Sequence, residues 1–456
     1  MAGVTQPDPS SFRDPSGFVF RENGLLLRQV NASYAKDYDL LMASGLYAEL
    51  VKAGQLVSHQ ETGGEGANGR YKLIKPEELP FISYPYEWSF GQLQDAALLT
   101  LAIQAKALEK GMILKDASAY NVQFKGSKPI LIDTLSFEAY QEGRPWVAYR
   151  QFCQHFLAPL ALMAHVDLRL GTLSRQHVDG VPLDLASSLL PSRTRLSVGL
   201  LSHLHLHAGS QRRHAADGKG AEGYRLPKTS LLALLDNLRA TVKGIKLPRQ
   251  ATEWGDYYDN TNYTGAAQAD KNATIAAWLK AARPASVCDI GANQGEYSRL
   301  ASGSAFTISC DIDPIAVEKN YRRMRDENEA NLLPLLIDLT NPSPAIGWAN
   351  QERPSFLERA KPDLVLCLAL IHHLAISNNL PLGSIADFLA AMAPQVIIEF
   401  VPKEDSNTKK LLASRPDIFP EYTEAGFEAA FIKRFRIKDK KKVKESERTL
   451  YLLERR

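Results

Sequence analysis

The carboxy-terminal half of this 456-residue chain is predicted to be α/β, a parallel doubly wound sheet, with a separate α+β domain before it. Three observations carry that prediction. Val287-Cys-Asp-Ile-Gly-Ala-Asn-Gln-Gly295 is an apolar strand ending in a turn with Gly291 and Gly295 before a helix begins. Downstream of it strands and helices alternate, the pattern of a sheet whose parallel strands are joined by helices. The last two strands, 431–438 and 448–453, have only a short charged stretch between them and so form an antiparallel hairpin at a sheet edge.

A chain of this length exceeds what one hydrophobic core organises, so more than one domain is expected. From the amino terminus a mixed strand and helix region, with a helix over Leu93–Lys110, runs to about Tyr140. A helical region follows, in which Phe152, Phe156, Leu157 and Leu160 fall at helical spacing. Residues 208–225 lack apolar periodicity and are rich in glycine and charge, which marks a linker between a domain at 1–207 and one at 226–456. Past it, Asp270 is a candidate N-cap for a helix through Leu279. The strands are then 286–290, 306–311, 333–337, 363–369 and 395–400, followed by the terminal hairpin.

Composition excludes several classes. The net charge of +3 gives no case for nucleic acid as an obligatory partner. No stretch approaches the roughly 18 consecutive apolar residues of a membrane span, so no membrane insertion is expected. The first residues have neither the basic nor the apolar region of a signal peptide, so a cytoplasmic location is expected. Cys153, Cys288, Cys310 and Cys367 show no metal-type spacing and read as reduced packing residues.

The turn after the first strand has a specific chemistry. A dinucleotide fingerprint wants a second glycine where the backbone meets a pyrophosphate, and here that place is Asn293. Its side chain would crowd a diphosphate, while Asp289 repels one and attracts an amine or a sulfonium. S-adenosylmethionine fits better than NAD. Asp311, ending Phe306-Thr-Ile-Ser-Cys-Asp311, lies about 20 residues past the glycines, the distance of a ribose-binding acid. Acids after strands also cap helices, and Asp338, followed by Thr340-Asn-Pro342, suits a turn equally well.

From about 250 to 456 these ordered motifs resemble the class I S-adenosylmethionine-dependent methyltransferases, which implies a Rossmann-like seven-stranded sheet ending in the hairpin already inferred. The resemblance implies that the loop Asp289-Ile-Gly291-Ala-Asn293-Gln-Gly295 cradles the amino acid part of the cofactor. It implies that Asp311 holds the ribose hydroxyls and Asp338 the adenine amine. Pro362–Leu374 is similar to the family's fourth strand. Glu253–Thr264, rich in aromatic and amide groups, sits where such enzymes place a lid, with Tyr258, Asn262 and Tyr263 as candidates; a connector packing its rings on the sheet is the alternative. With Ile398–Asp405 included, the pattern is similar to the rhizobial nodulation-protein type of methyltransferase.

Methyl transfer to a neutral oxygen or nitrogen needs alignment and a destination for a proton. His372 and His373, after the fourth strand, and Glu399, ending the fifth, are the candidate catalytic residues. Adjacent residues cannot share one face, so at most one histidine points into the site. Both could instead pack against the sheet.

In the amino-terminal half, Gly111–Asn121 followed by Pro129–Thr134 has the order of a kinase catalytic loop, so about 15–200 resembles a divergent kinase-like domain. Asp116 would orient an acceptor hydroxyl, and Asn121 and Asp133 would bind magnesium. Lys115 stands for the usual arginine, Thr134-Leu135 for the Phe-Gly pair, and no phosphate loop occurs. A degenerate domain that binds the acceptor is therefore the expectation, beside a plain turn in which both residues stabilise backbone.

His203-Leu-His-Leu-His207 reads as a helix with surface histidines, not a metal site. The run Lys433–Lys444 reads as a solvated edge strand that could also attract an anionic acceptor. Three functions are open: a methyltransferase acting on a small molecule or glycan, such as an oxygen of a lipid-linked sugar; a bifunctional kinase-methyltransferase; and a non-catalytic cofactor-binding or interaction protein.

Overall fold

The computed structural model describes residues 7–62, 69–206, 226–248, 264–413 and 415–456. Two compact units emerge, Met1–Arg249 with Ala345–Pro354, and Gln250–Pro344 with Ser355–Arg456.

The first unit is α+β. Its four-stranded antiparallel sheet uses Gly17–Glu22, Leu25–Asn31, His59–Glu61 and Arg70–Pro76, in the spatial order first, second, fourth, third. The first two strands are joined by Asn23-Gly24, both at positive φ, the turn chemistry whose twist matches a tight hairpin. A twenty-residue helix, Phe90–Glu109, follows, its amino end closed by a capping box of Ser89 and Gln92. Two small antiparallel sheets of two strands pair Met112–Leu114 with Phe137–Ala139, and Val122–Lys125 with Lys128–Leu131 in a hairpin. Beyond Tyr149 the unit is helical, and Phe152, Phe156, Leu157 and Leu160 are fully buried in its core.

The expected boundary at 226 is corrected. Helix Lys228–Gly244 packs on the long helix, where Gln94 donates to the carbonyls of Val242 at 2.8 Å and Ile245 at 2.9 Å. Its stripe of Leu231, Leu235, Leu238 and Val242 is buried, so composition marked a break in the chain but not which core the next helix serves. The expected linker at 208–225 lies outside the described residues.

In the second unit, strands Ser286–Ile290, Phe306–Asp311, Leu332–Leu336, Leu364–Cys367, Gln395–Phe400, Phe435–Lys442 and Thr449–Arg455 form one sheet, in spatial order third, second, first, fourth, fifth, seventh, sixth. The first five run parallel. The seventh pairs antiparallel with both the fifth and the sixth, which is the terminal hairpin. The sixth strand begins at Phe435 rather than 431 because Glu424–Phe431 is a helix. Its lysines are ion-paired: Lys438 with Glu454, Lys440 with Glu424 and Glu428, Lys441 with Asp270, and Lys442 with Glu447. Asp270 is therefore no cap; the helix Gly265–Ala282 starts earlier, with Thr264 accepting from the Ala267 N–H.

All four cysteines are free and buried, and Cys288 and Cys310 lie 3.9 Å apart on adjacent strands. Among the described residues no helix is long and apolar enough to cross a membrane.

Candidate functional site

The first four strands end together, and the loops leaving the first, second, third and fourth help to form a cavity of about 430 Å³ lined by Gly291, Asn293, Asp311, Asp338 and His373 among others. The turn is set by its backbone: Gly291, Asn293 and Gly295 have φ of 75°, 51° and 78°. In that left-handed region a Cβ is strained. Space is short as well. A Cβ on Gly291 would meet Leu370 at 3.1 Å, and one on Gly295 the Asn320 side chain at 2.6 Å.

Asp311 ties the turn to the second strand. One carboxylate oxygen accepts the Asn293 N–H at 2.7 Å and the other the Asp313 N–H at 2.9 Å. Burial pushes its pKa up to about 6 against those N–H groups. Asp338 also lines the cavity, and its carboxylate accepts from the N–H and hydroxyl of Thr340 at 2.8 and 2.7 Å, the bonds of a turn.

Asp289 stands differently. It is buried behind the turn, accepts the Ser298 hydroxyl at 2.6 Å, and does not line the cavity. Burial raises its pKa to about 7. Through Ser298 it fixes the helix after the loop.

The three catalytic candidates do not meet in the cavity. Only His373 lines the cavity. Burial, and then the Arg448 charge, lower its pKa to about 4, so its imidazole is neutral near pH 7. His372 is 1% exposed, meets the His373 ring at a tilt of 45° with centroids 4.1 Å apart, and has no partner for either ring nitrogen among the described residues. Glu399 is fully buried and ion-paired to Lys271 at 2.8 Å. Its placement corrects the expectation of a base at the reaction site: it does not line the cavity, and its carboxylate already accepts from the Lys271 ammonium. Tyr258, Asn262 and Tyr263 lie outside the described residues.

Gln268, Lys271, Tyr297, Ile312 and Leu370 also line the cavity, and no motif in the sequence marks them. Lys271 carried a signal. It falls between Ala267 and Ile275 at spacings of four, on the buried face of its helix, where a charged side chain needs a reason.

In the first unit, Asp133 pairs with Arg28 at 2.6 Å and accepts from the Ser136 hydroxyl at 2.7 Å and the Leu135 N–H at 2.8 Å. Burial opposes its charge, but Arg28 and these donors outweigh it and hold its pKa below the usual range. Asp116 accepts from the Ser118 N–H and the Gln151 amide, and its pKa is raised by burial and by Asp133. Asn121 donates to the Ser136 hydroxyl at 3.3 Å. The constellation assembles, but with a guanidinium on the carboxylate that magnesium would need, so these residues do not fit that metal.

The histidine run is corrected too. His203 and His205 are buried, with Tyr149 and Asn237 on the first ring and Ser187 and Thr194 on the second. Four polar neighbours supplied by distant segments make burial affordable for both rings.

No family model matches the chain. Nodulation protein NoeA of Rhizobium meliloti (strain 1021) is 37% identical over 460 residues, an alignment taking in 98% of this chain and 95% of that protein. Among solved structures, N-methyltransferase NodS from Bradyrhizobium japonicum WM9 is matched over 42% of this chain and 97% of its own, at 9% identity and a TM-score of 0.32. Magnesium protoporphyrin IX methyltransferase from Synechocystis PCC 6803, with SAH bound, is matched over 44% of this chain and 93% of its own, at 20% identity and a TM-score of 0.32. The bifunctional kinase-methyltransferase WbdD is matched over 44% of this chain and 42% of its own, at 20% identity and a TM-score of 0.30.

Proposed function

The chain belongs to the family of the nodulation protein NoeA, and on that premise we propose that it is an S-adenosylmethionine-dependent methyltransferase whose amino-terminal unit binds the acceptor. The observation that carries this reading is Asp311, an acid at the strand end that both lines the cavity and holds the glycine turn. The left-handed turn at Gly291 and Asn293 leaves backbone at the cavity wall for the amino acid part of the cofactor. Asp311 would take the ribose hydroxyls and Asp338 the adenine amine, with Ile312, Ile337 and Leu339 supplying apolar surface for the base. When bound, S-adenosylmethionine supplies a methyl group on a sulfonium.

His373 would accept the acceptor's proton, being neutral near pH 7 and on the cavity wall. A neutral oxygen nucleophile, as on a glycan or lipid-linked sugar, suits such a base. We do not extend the reading to phosphoryl transfer, because Arg28 already neutralises Asp133. The test is incubation of the protein with cell extract and methyl-labelled cofactor, followed by mass spectrometry. A labelled product that disappears with Asp311→Ala supports the proposal; a wild-type protein that does not bind S-adenosylhomocysteine refutes it.

A further inference from the structure

The fourth strand of the sheet, Leu364–Cys367, leads into Ala369, whose φ of +49° lies in the left-handed region that a residue with a Cβ rarely adopts. Leu368, Ala369, Leu370 and His373 all line the cavity, so the path of the backbone at this one residue sets a wall of the site. What holds it is Glu399. Its Oε2 accepts the Ala369 N–H at 2.7 Å and the Lys271 ammonium at 2.8 Å, and the Arg448 guanidinium lies 3.8 Å from the same atom. Arg448 is itself fixed by Asp405 at 2.8 Å. Lys271 in turn sits 4.4 Å over the Tyr297 ring, and the Tyr297 hydroxyl accepts from Gln268 at 2.9 Å.

We propose that Glu399 and Lys271 are positioning residues: the Lys271–Glu399 pair holds Ala369 left-handed through its N–H, and so shapes the cofactor wall formed by Leu368–Leu370. The inference rests on the cofactor reading above. A buried carboxylate with a buried ammonium on one side and a backbone N–H on the other is rigid, since neither charge can leave without stranding its partner. The anchor comes from the helix Gly265–Ala282 and the held turn from the fourth strand, so the pair ties two separate pieces of the cavity wall together.

The experiment compares S-adenosylhomocysteine binding by calorimetry in wild type, Glu399→Gln, Ala369→Gly and the double variant, with melting temperatures recorded for each. Glu399→Gln is expected to weaken binding by about tenfold or more, as loss of a charged acceptor from a buried N–H does. Glycine adopts the left-handed turn unaided. The double variant should therefore recover most of the affinity without recovering the melting temperature, a rescue that neither a general base nor a purely structural ion pair would show. Binding by Glu399→Gln within about twofold of wild type, or no rescue by glycine, overturns the proposal. Should Glu399→Gln not fold, Ala369→Val strains the same turn with the ion pair intact, and undiminished binding by that variant overturns it equally. If wild type itself does not bind, the cofactor reading has failed. Hydrogen exchange at the Ala369 amide then still tests the tether, which requires protection in wild type and its loss in Lys271→Met.

Discussion

The N–H of Asn293 donates to the carboxylate of Asp311 across 2.7 Å, so the glycine turn after the first strand and the acid ending the second are one piece of structure. Asp311→Ala removes both an acid that lines the cavity and the support of the turn. Binding of S-adenosylhomocysteine should weaken by about 100-fold, ~3 kcal/mol, as measured by calorimetry. Affinity unchanged from wild type would show that the cavity serves another ligand.

The two raised carboxyls set a pH dependence. Asp289 at about 7 and Asp311 at about 6 exceed the unfolded value of about 3.9, both first because of burial. Between about pH 4 and 7 the folded chain holds protons that the unfolded chain has lost, so their contribution to stability falls as pH rises through that window and is level above it. Positive charge brought beside Asp311 favours its ionised form. Binding of S-adenosylmethionine near pH 6 should release protons, and affinity should grow toward about pH 7.5. Calorimetry in two buffers of different ionisation heat reads this directly; identical enthalpies would contradict it.

Gly295 is the tightest point of the loop, with φ of +78° and the Asn320 side chain 2.6 Å from where a Cβ would stand. Gly295→Ala should destabilise the second unit by about 2 kcal/mol from the left-handed conformation alone, with the contact adding to it. A melting curve overlying that of wild type would be the contrary result.

Arg28 bridges Asp133 and Asp14, the latter at 3.0 Å. Its removal leaves two partly buried carboxylates unneutralised, so Arg28→Met should cost the first unit about 2–4 kcal/mol in denaturant unfolding. The wild-type protein should show no calorimetric binding of magnesium-ATP. Tight binding that is abolished by Asp133→Ala would restore the kinase alternative.

For His373→Gln, turnover of the labelled acceptor should fall by about 100-fold while S-adenosylhomocysteine affinity holds within about twofold. Loss of affinity alone, with turnover intact at saturation, would make His373 a wall residue.

Much of this was legible in the sequence. The loop 287–295, Asp311 and the terminal hairpin depend on local signals: a period of two along strands, glycines where φ is positive, and a missing helix between two strands. The role of Glu399 was not legible. Residue type and position at a strand end are the same for a base and for a buried anchor, and only Lys271, 128 positions away in the chain, separates the two for Glu399. The burial of His203 and His205 is hidden from the sequence for a related reason, since the groups that satisfy them come from four other segments.

By itself, then, the sequence determined the α/β sheet, the glycine turn and the acids at its edge, because each is specified within a few residues by backbone conformation and side-chain period. The tertiary structure alone decided that helix Lys228–Gly244 and segment Ala345–Pro354 belong with the first unit, that Arg28 sits on Asp133, and that Glu399 serves the backbone of Ala369. These are matters of burial and charge pairing between remote segments. Where a buried charge finds its partner is set by packing, which no local pattern encodes.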